Sequence, residues 1–390
     1  MSYTLPMLIR LGFLILIATR LVILFGYSAY ITDVSLYFDQ AGKAAMGLKT
    51  YTDFFYPYPP LSLALIYFPN LFGASDFWTY RGIFTKELFA LDLLVAALMV
   101  WGARKQWKWS EQKIFTALCF YSAFGLLQGH LLYDRIDLGI SLFVLSMVFL
   151  PKHLIAASNF GMLFKIVPPI PAAFFLALQQ RGKNFWIRLP ALILPSIAVI
   201  LLIECTTNPG ILKYLFEHQQ RGIQIESVWA TPFMLSHASI TTNYGAQHLV
   251  DNTVPALYLM LSKYLGWLAL GALGLFTLTR APKKPSQRLL LLTPLMVLIV
   301  FLCTQRVLSP QFFIWLIPFL SLACAEFKSP ALWGLSFGVY TLTYIGFDIG
   351  YWEFVKLSPF FVNAVALRNL LLVALTVWIV RRWIFTLRST

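Results

Sequence analysis

The feature that most constrains this chain is a near-continuous succession of apolar segments, each about as long as a membrane is thick and joined by short connections. They run over residues 5–30, 80–102, 113–129, 137–151, 189–204, 254–279, 289–305, 311–327, 330–347 and 364–380. A helix needs about 20 apolar residues to cross the hydrocarbon, and in lipid every backbone polar group must be satisfied within the segment, so such runs fold as helices. Composition agrees. Of 390 residues 59% are hydrophobic and only 12% charged, against about 25% charged in a soluble domain. The expected fold is all-α: a polytopic transmembrane bundle of about ten full spans, forming one integral membrane domain over residues 1–390. The longest polar stretch, residues 205–253, is too short to conceal a soluble catalytic domain.

Charge orients the chain. The net charge of +14 would suggest nucleic acid in a soluble protein, but basic residues collect in cytoplasmic loops of membrane proteins. The apolar run Pro60 to Phe72 is too short to span. If it crossed, Arg104, Lys105, Lys108 and Lys113 would lie outside, so it is expected to be a half-buried helix on the outer face. Residues 154–178 are broken at Pro168-Pro169, carry Lys165 at the middle and have basic residues on both flanks. Two arms of about 11 residues fit a re-entrant hairpin with Lys165 at its non-helical apex, a backbone tolerated only where buried in protein or lining a cavity. All strongly basic connections, including Arg280 to Arg288 and the C-terminal Arg381, Arg382 and Arg388, then fall inside, with both termini cytoplasmic. The acids do the opposite: Asp33, Asp39, Asp53, Asp76, Asp134, Asp137, Glu217, Glu226, Asp251, Asp348 and Glu353 fall in outer loops, and only Glu111 and Glu326 are clearly inside. The functional groups are therefore expected on the outer face.

Two outer loops carry most of them. In residues 31–79, Val34 to Met46 follows a loosely helical pattern ended by Gly47, a short interfacial helix. Asp33 at its head reads equally as an N-cap or as a reactive carboxylate. The aromatic cluster Tyr51, Phe54, Phe55, Tyr56 and Tyr58 reads as an interfacial belt or as a platform for sugar rings or an isoprenoid chain. In residues 205–253, His218 and Arg221 sit three apart, on one face of a helix if one forms. Arg suits bidentate phosphate contact, although pairing of Arg221 with Glu217 or Glu226 is the plain alternative. Lys165 at membrane depth marks a function or a partner, with snorkelling as its alternative, and Arg306 either binds an anion or caps a span. Asp134, Arg135 and Asp137 form a compact charged turn, read first as an internal salt-bridge cluster. Arg20 and Asp92, inside spans, either pair or line a cavity. Cys119, Cys205, Cys303 and Cys324 show neither disulfide nor zinc spacing. No GxGxxG or P-loop is present, and no carboxylates stand at metal-ligand spacing.

Five sequence blocks then carry a resemblance. The first outer loop has Asp33, Tyr37 four later, a small-residue helix ending in Gly47, and YPPL at Tyr58 to Leu61. It is followed in order by QGHLLYDRIDL (Gln128 to Leu138), FGMLFKIVPPIP (Phe160 to Pro171), FEHQQRGIQIES (Phe216 to Ser227) and LSPQFFIWLIP (Leu308 to Pro318). This order resembles the GT-C superfamily of membrane glycosyltransferases, nearest the branch of polyprenol-phosphate-mannose-dependent mannosyltransferases. From Lys328 on the match is loose. The resemblance implies a GT-C bundle and a catalytic base at Asp33. It also implies transfer of a hexose, mannose in this branch, from a polyprenyl-phosphate donor to a lipid or glycan acceptor on the extracytoplasmic side. The chemistry fits on its own terms: a sugar on a lipid phosphate already has a good leaving group. An inverting transfer then needs one carboxylate to take the acceptor proton and cations for the departing phosphate, not the paired carboxylates of glycoside hydrolysis. Arg221, His218, Lys165 and Arg306 are the candidate phosphate-binding cations. Tyr37, Tyr56, Tyr58, Gln128, Asp137, Gln219, Glu226 and Gln311 are candidate substrate contacts. Neither metal nor other cofactor is expected, and the expected location is a bacterial plasma membrane. The competing reading is a transporter or flippase of a polyprenyl-linked lipid or sugar. It favours two similar halves with interrupted helices at matching positions, and only one interruption, at Lys165 to Pro169, is found.

Overall fold

The computed structural model describes residues 6–26, 33–180, 182–206, 210–212, 221–243 and 245–389. The fold is all-α and polytopic, with helices in all ten segments expected to span. Among the described residues six meet both the length and the hydropathy needed to cross a membrane: α1 (Met7–Gly26), the run Lys183–Thr206 that ends in α9 (Leu194–Thr206), α10 (Ala256–Arg280), α11 (Gln287–Thr304), the run Pro310–Phe327 that contains α12 (Ile317–Phe327), and α14 (Pro359–Ser389). This is an integral membrane protein.

The other four segments depart from simple spans for visible reasons. α4 (Phe77–Lys105) is long enough, but Arg81, Lys86, Glu87 and Asp92 lower its hydropathy. α5 (Glu111–Leu127) and α13 (Pro330–Tyr344) are shorter, α13 passing into a π-helical turn at Ile345–Ile349. The expected straight span over 137–151 is instead α6 (Leu138–Phe149), 12 residues, about 18 Å at the helical rise. The chain then turns by 116° through Pro151 into α7 (Leu154–Phe164). α7 and α8 (Pro169–Gln179) are the two 11-residue arms anticipated for the hairpin. Between them Lys165 is extended, at φ −161° and ψ 135°.

The chain divides into two compact units. The first comprises Met1–Ser28, Met99–His130 and Arg221–Thr390. Its centre is α11, buried almost all round, which explains why its sequence is apolar on every face. The Trp383 indole of α14 donates to Thr293 Oγ1 of α11 at 3.1 Å, and Tyr340 of α13 donates to the Phe313 carbonyl at 2.8 Å. α1 packs on α5, where the fully buried Arg20 donates to the Ser122 and Tyr121 carbonyls at 3.1 and 3.3 Å and lies over the Tyr121 ring. Gly125 makes the room: a Cβ there would collide with the Arg20 guanidinium. Lys113 and Arg288 both pair with Glu326, Arg288 at 2.6 Å, so two basic residues expected on the inner side clasp an acid expected there too. The long polar stretch is not wholly irregular. Ile240–Asn243 and Ala246–Leu249 form an antiparallel two-stranded hairpin over a satellite core that includes Ile223, Ile225, Met234, Leu249, Phe354 and Val362.

The second unit comprises Ala29–Leu98 and Leu131–Gln220. α2 (Val34–Ala45) is the interfacial helix expected in the first outer loop. It buries Val34, Tyr37 and Ala41, spaced as one helix face, and stops before Gly47 at φ 83°. α3 (Leu61–Leu71) is the short half-buried helix, tied to α4 by Tyr80 Oη donating to the Ile66 carbonyl at 2.7 Å. Asn159 of α7 fastens the following span, donating to the Ala191 carbonyl at 2.9 Å and accepting from the Ser196 hydroxyl at 2.7 Å.

Candidate active site

In the second unit the carboxylate expected to be reactive is Asp33. It occupies the N-cap position of α2, yet its side chain makes no capping hydrogen bond. Asp76, at the head of α4, shows what a capping aspartate does in this chain. Its Oδ1 accepts from the backbone N–H of Trp78 and Thr79 at 2.9 and 3.1 Å, its Oδ2 from the Thr79 hydroxyl at 2.6 Å. Those bonds hold its carboxyl below the usual carboxylate range. The Asp33 carboxylate instead pairs with the guanidinium of Arg135. Arg135 is 5% exposed and Asp33 33%, so the pair is anchored on a buried cation while part of the carboxylate faces outward.

Arg135 belongs to the turn Asp134 to Asp137, expected to neutralise itself. The turn is salt-bridged, but to distant parts of the chain. Asp134 lies 3.6 Å from Arg81 of α4, and Asp137, 1% exposed, holds Lys165 Nζ at 2.7 Å. One short turn therefore engages both Asp33 and Lys165, through Arg135 and Asp137, two positions apart. Lys165 is not snorkelling to a surface: it is 14% exposed and paired. Asp92 of α4 accepts from the Tyr133 hydroxyl at 2.8 Å, and Arg20 is held by backbone carbonyls as described above.

The aromatic residues of the first outer loop pack on one another and on α4. Tyr37 and Tyr56 are fully buried, and burial raises both phenols well above their ordinary range. Tyr37 Oη lies 3.3 Å from Tyr58 Oη, and its ring packs 5.5 Å from Phe84. Tyr56 Oη lies 2.7 Å from Ser62 Oγ. Of the three, only Tyr58 is part-exposed.

The first unit carries a separate polar group. Glu226 is buried, and desolvation pushes its carboxyl up to about 7, opposed by the charge of Arg368. Arg368 of α14 donates to the Glu226 carbonyl, while Asn369 Nδ2 lies within bonding distance of the Glu226 and Ser227 carbonyls and of Thr231 Oγ1, at 3.3, 3.1 and 2.8 Å. Pairing of Arg221 with Glu226 was the plain alternative to a phosphate-binding role for Arg221. Arg221 is half-buried at the start of this segment, and the cation beside Glu226 comes instead from the last helix. The Arg306 carbonyl accepts from Gln224 N at 2.9 Å, Gln311 Oε1 lies 3.1 Å from Ser309 Oγ, and buried Gln128 donates to the Pro310 carbonyl at 3.0 Å. His130 Nδ1 lies 2.7 Å from Asp348 Oδ1 in the π-helical turn. His218 and Gln219 lie outside the described residues.

Three participants escaped sequence reading: Arg368 and Asn369, masked by the apolar run around them, and His130, which nothing in its neighbourhood links to Asp348. A charged residue inside an otherwise apolar span was the one available signal for Arg368.

No family model and no curated protein matches the chain. Among solved structures, it is similar to ArnT from Cupriavidus metallidurans bound to undecaprenyl phosphate, at 15% identity and a TM-score of 0.48, over 96% of this chain and 77% of that chain. This is a distant likeness.

Proposed function

We propose that this protein is an inverting glycosyltransferase of the GT-C type. It moves a hexose, mannose by the sequence resemblance, from a polyprenyl-phosphate donor to a lipid or glycan acceptor on the extracytoplasmic face of a bacterial plasma membrane. The observation that carries the reading is the turn Asp134 to Asp137. Through Arg135 and Asp137 it holds one partly exposed carboxylate, Asp33, and one half-buried ammonium, Lys165. Asp33 takes the proton of the attacking hydroxyl, and Arg135 fixes its direction. Lys165, with Arg221, His218 and Arg306 as further candidates, offsets the charge growing on the leaving phosphate. No metal or other cofactor takes part in this scheme.

The test gives purified protein in detergent a polyprenyl-phosphate sugar and a lipid acceptor, with Asp33→Asn beside wild type. Transfer is expected from wild type with no ion gradient, which a transporter or flippase does not perform. The variant is expected to lose about 100- to 10,000-fold in rate, the usual contribution of a positioned base. Equal turnover in both removes Asp33 from the mechanism.

A further inference from the structure

We propose that the groove between α3 and α4 binds a membrane phospholipid whose headgroup carries both a phosphate and a primary amine. The groove has a volume of about 510 Å³ and is lined by Phe68 and Phe72 of α3 and by Ile83, Lys86, Glu87 and Ala90 of α4. The α4 residues stand at i, i+3, i+4 and i+7, one continuous helix face. The two phenylalanines are themselves i and i+4, their rings 4.9 Å apart. A stripe of this kind in a membrane helix should be apolar. Here its two central positions are Lys86 and Glu87, about 9 Å along the helix from Tyr80, where the apolar stretch begins.

Neither side chain is spent inside the protein. Among the described residues neither Lys86 nor Glu87 forms an ion pair, and Glu87 Oε2 is shut off from solvent with no hydrogen-bond partner. Consecutive residues on a helix do not face each other, so the two cannot neutralise one another well. Intramembrane charges mark a function or a partner, and these ask for a partner with one anionic and one cationic group above an apolar body. Lys86 receives the phosphate, Glu87 receives N–H donors from the amine, and Phe68, Phe72 and Ile83 receive the upper chain. The rim fits a lipid surface: Leu71, Phe72 and Trp78 are all exposed, at 68, 64 and 72%. The volume lies within the range of about 300–1,000 Å³ usual for ligand sites, enough for a headgroup and the first part of its chains. This site is independent of the proposed transfer reaction.

The test is lipid retention by native mass spectrometry. Full-length protein in mild detergent is given equimolar phosphatidylethanolamine, phosphatidylglycerol and phosphatidylcholine, with Lys86→Ala and Glu87→Gln alongside. Wild type is expected to retain phosphatidylethanolamine at least about tenfold over the other two, because a quaternary amine and a glycerol cannot replace the charged N–H donors. Glu87→Gln should lose that preference while still retaining phosphate lipids, and Lys86→Ala should retain less of all three. Equal retention of the three lipids by wild type, an annular lipid only, overturns the proposal whether or not the variants fold. So does a Glu87→Gln variant that keeps the wild-type preference.

Discussion

Asp33 and Asp76 are the same residue type in the same position, one residue before a helix, and do opposite things. Asp76 spends its carboxylate on its own backbone; Asp33 reaches Arg135, about a hundred residues away in sequence. Spacing alone leaves the two indistinguishable, because the choice is made by what the fold brings near. Glu226 shows the same point through its proton. Its folded-state value of about 7 lies above the unfolded value near 4.5, so the native state binds the extra proton. The stability this contributes is present below pH about 4.5 and lost as pH rises to about 7, by up to about 3 kcal/mol. The melting temperature of the wild type is therefore expected to fall between pH 5 and pH 8. Glu226→Gln should show a shallower fall, and an unchanged slope would mean that Glu226 does not titrate in this window.

Among the elements, the segment 221–253 depends on α14 more than on its own secondary structure. Its hairpin has four residues per strand, and its core is shared with Phe354, Val362 and Val365. Asn369 is the principal polar anchor, reaching three acceptors from one amide. Asn369→Ala is expected to cost about 1–3 kcal/mol, since it leaves buried acceptors without their donor. Amide exchange over residues 224–231 should accelerate while that of α11 does not. Helices of this protein were legible wherever an apolar run approached the membrane's thickness, and the break at Lys165 to Pro168 was legible from its prolines. Lys152 and His153 marked the end of the preceding span near residue 151, but the size of the turn there, 116°, was not legible, because an apolar run has no periodicity to say how one buried helix is set against the next. Nor was the hairpin, whose strands are too short and polar to show an alternating pattern.

For the whole molecule, the division of charge is the most readable property. The basic connections give an expected orientation without any tertiary knowledge, and the proposed reaction requires that orientation. Cys205 is exposed at the end of α9, whereas Cys303 and Cys324 are buried, so it serves as a native reporter. A membrane-impermeant maleimide is expected to label Cys205 in intact cells. In a Cys205→Ser background, Ser286→Cys, within the basic connection, should label only after permeabilisation. The reverse pattern would invert the topology and place Asp33 on the cytoplasmic side. The site was legible in part for the same reason: Asp33 and Lys165 stand out in a chain with few charged residues, whereas their shared support at Arg135 and Asp137 exists only in three dimensions.

Arg20 and Gly125 give the fold a constraint of a different kind. The guanidinium fills the space that a side chain at 125 would need, and its donors are spent on carbonyls of that same helix. Neither residue can change alone: enlarging the glycine displaces the arginine, and shortening the arginine opens a polar hole beside α5. The two positions, 105 apart in the sequence, form one unit of variation, so any lineage that alters this contact must alter both sides or pass through a damaged intermediate.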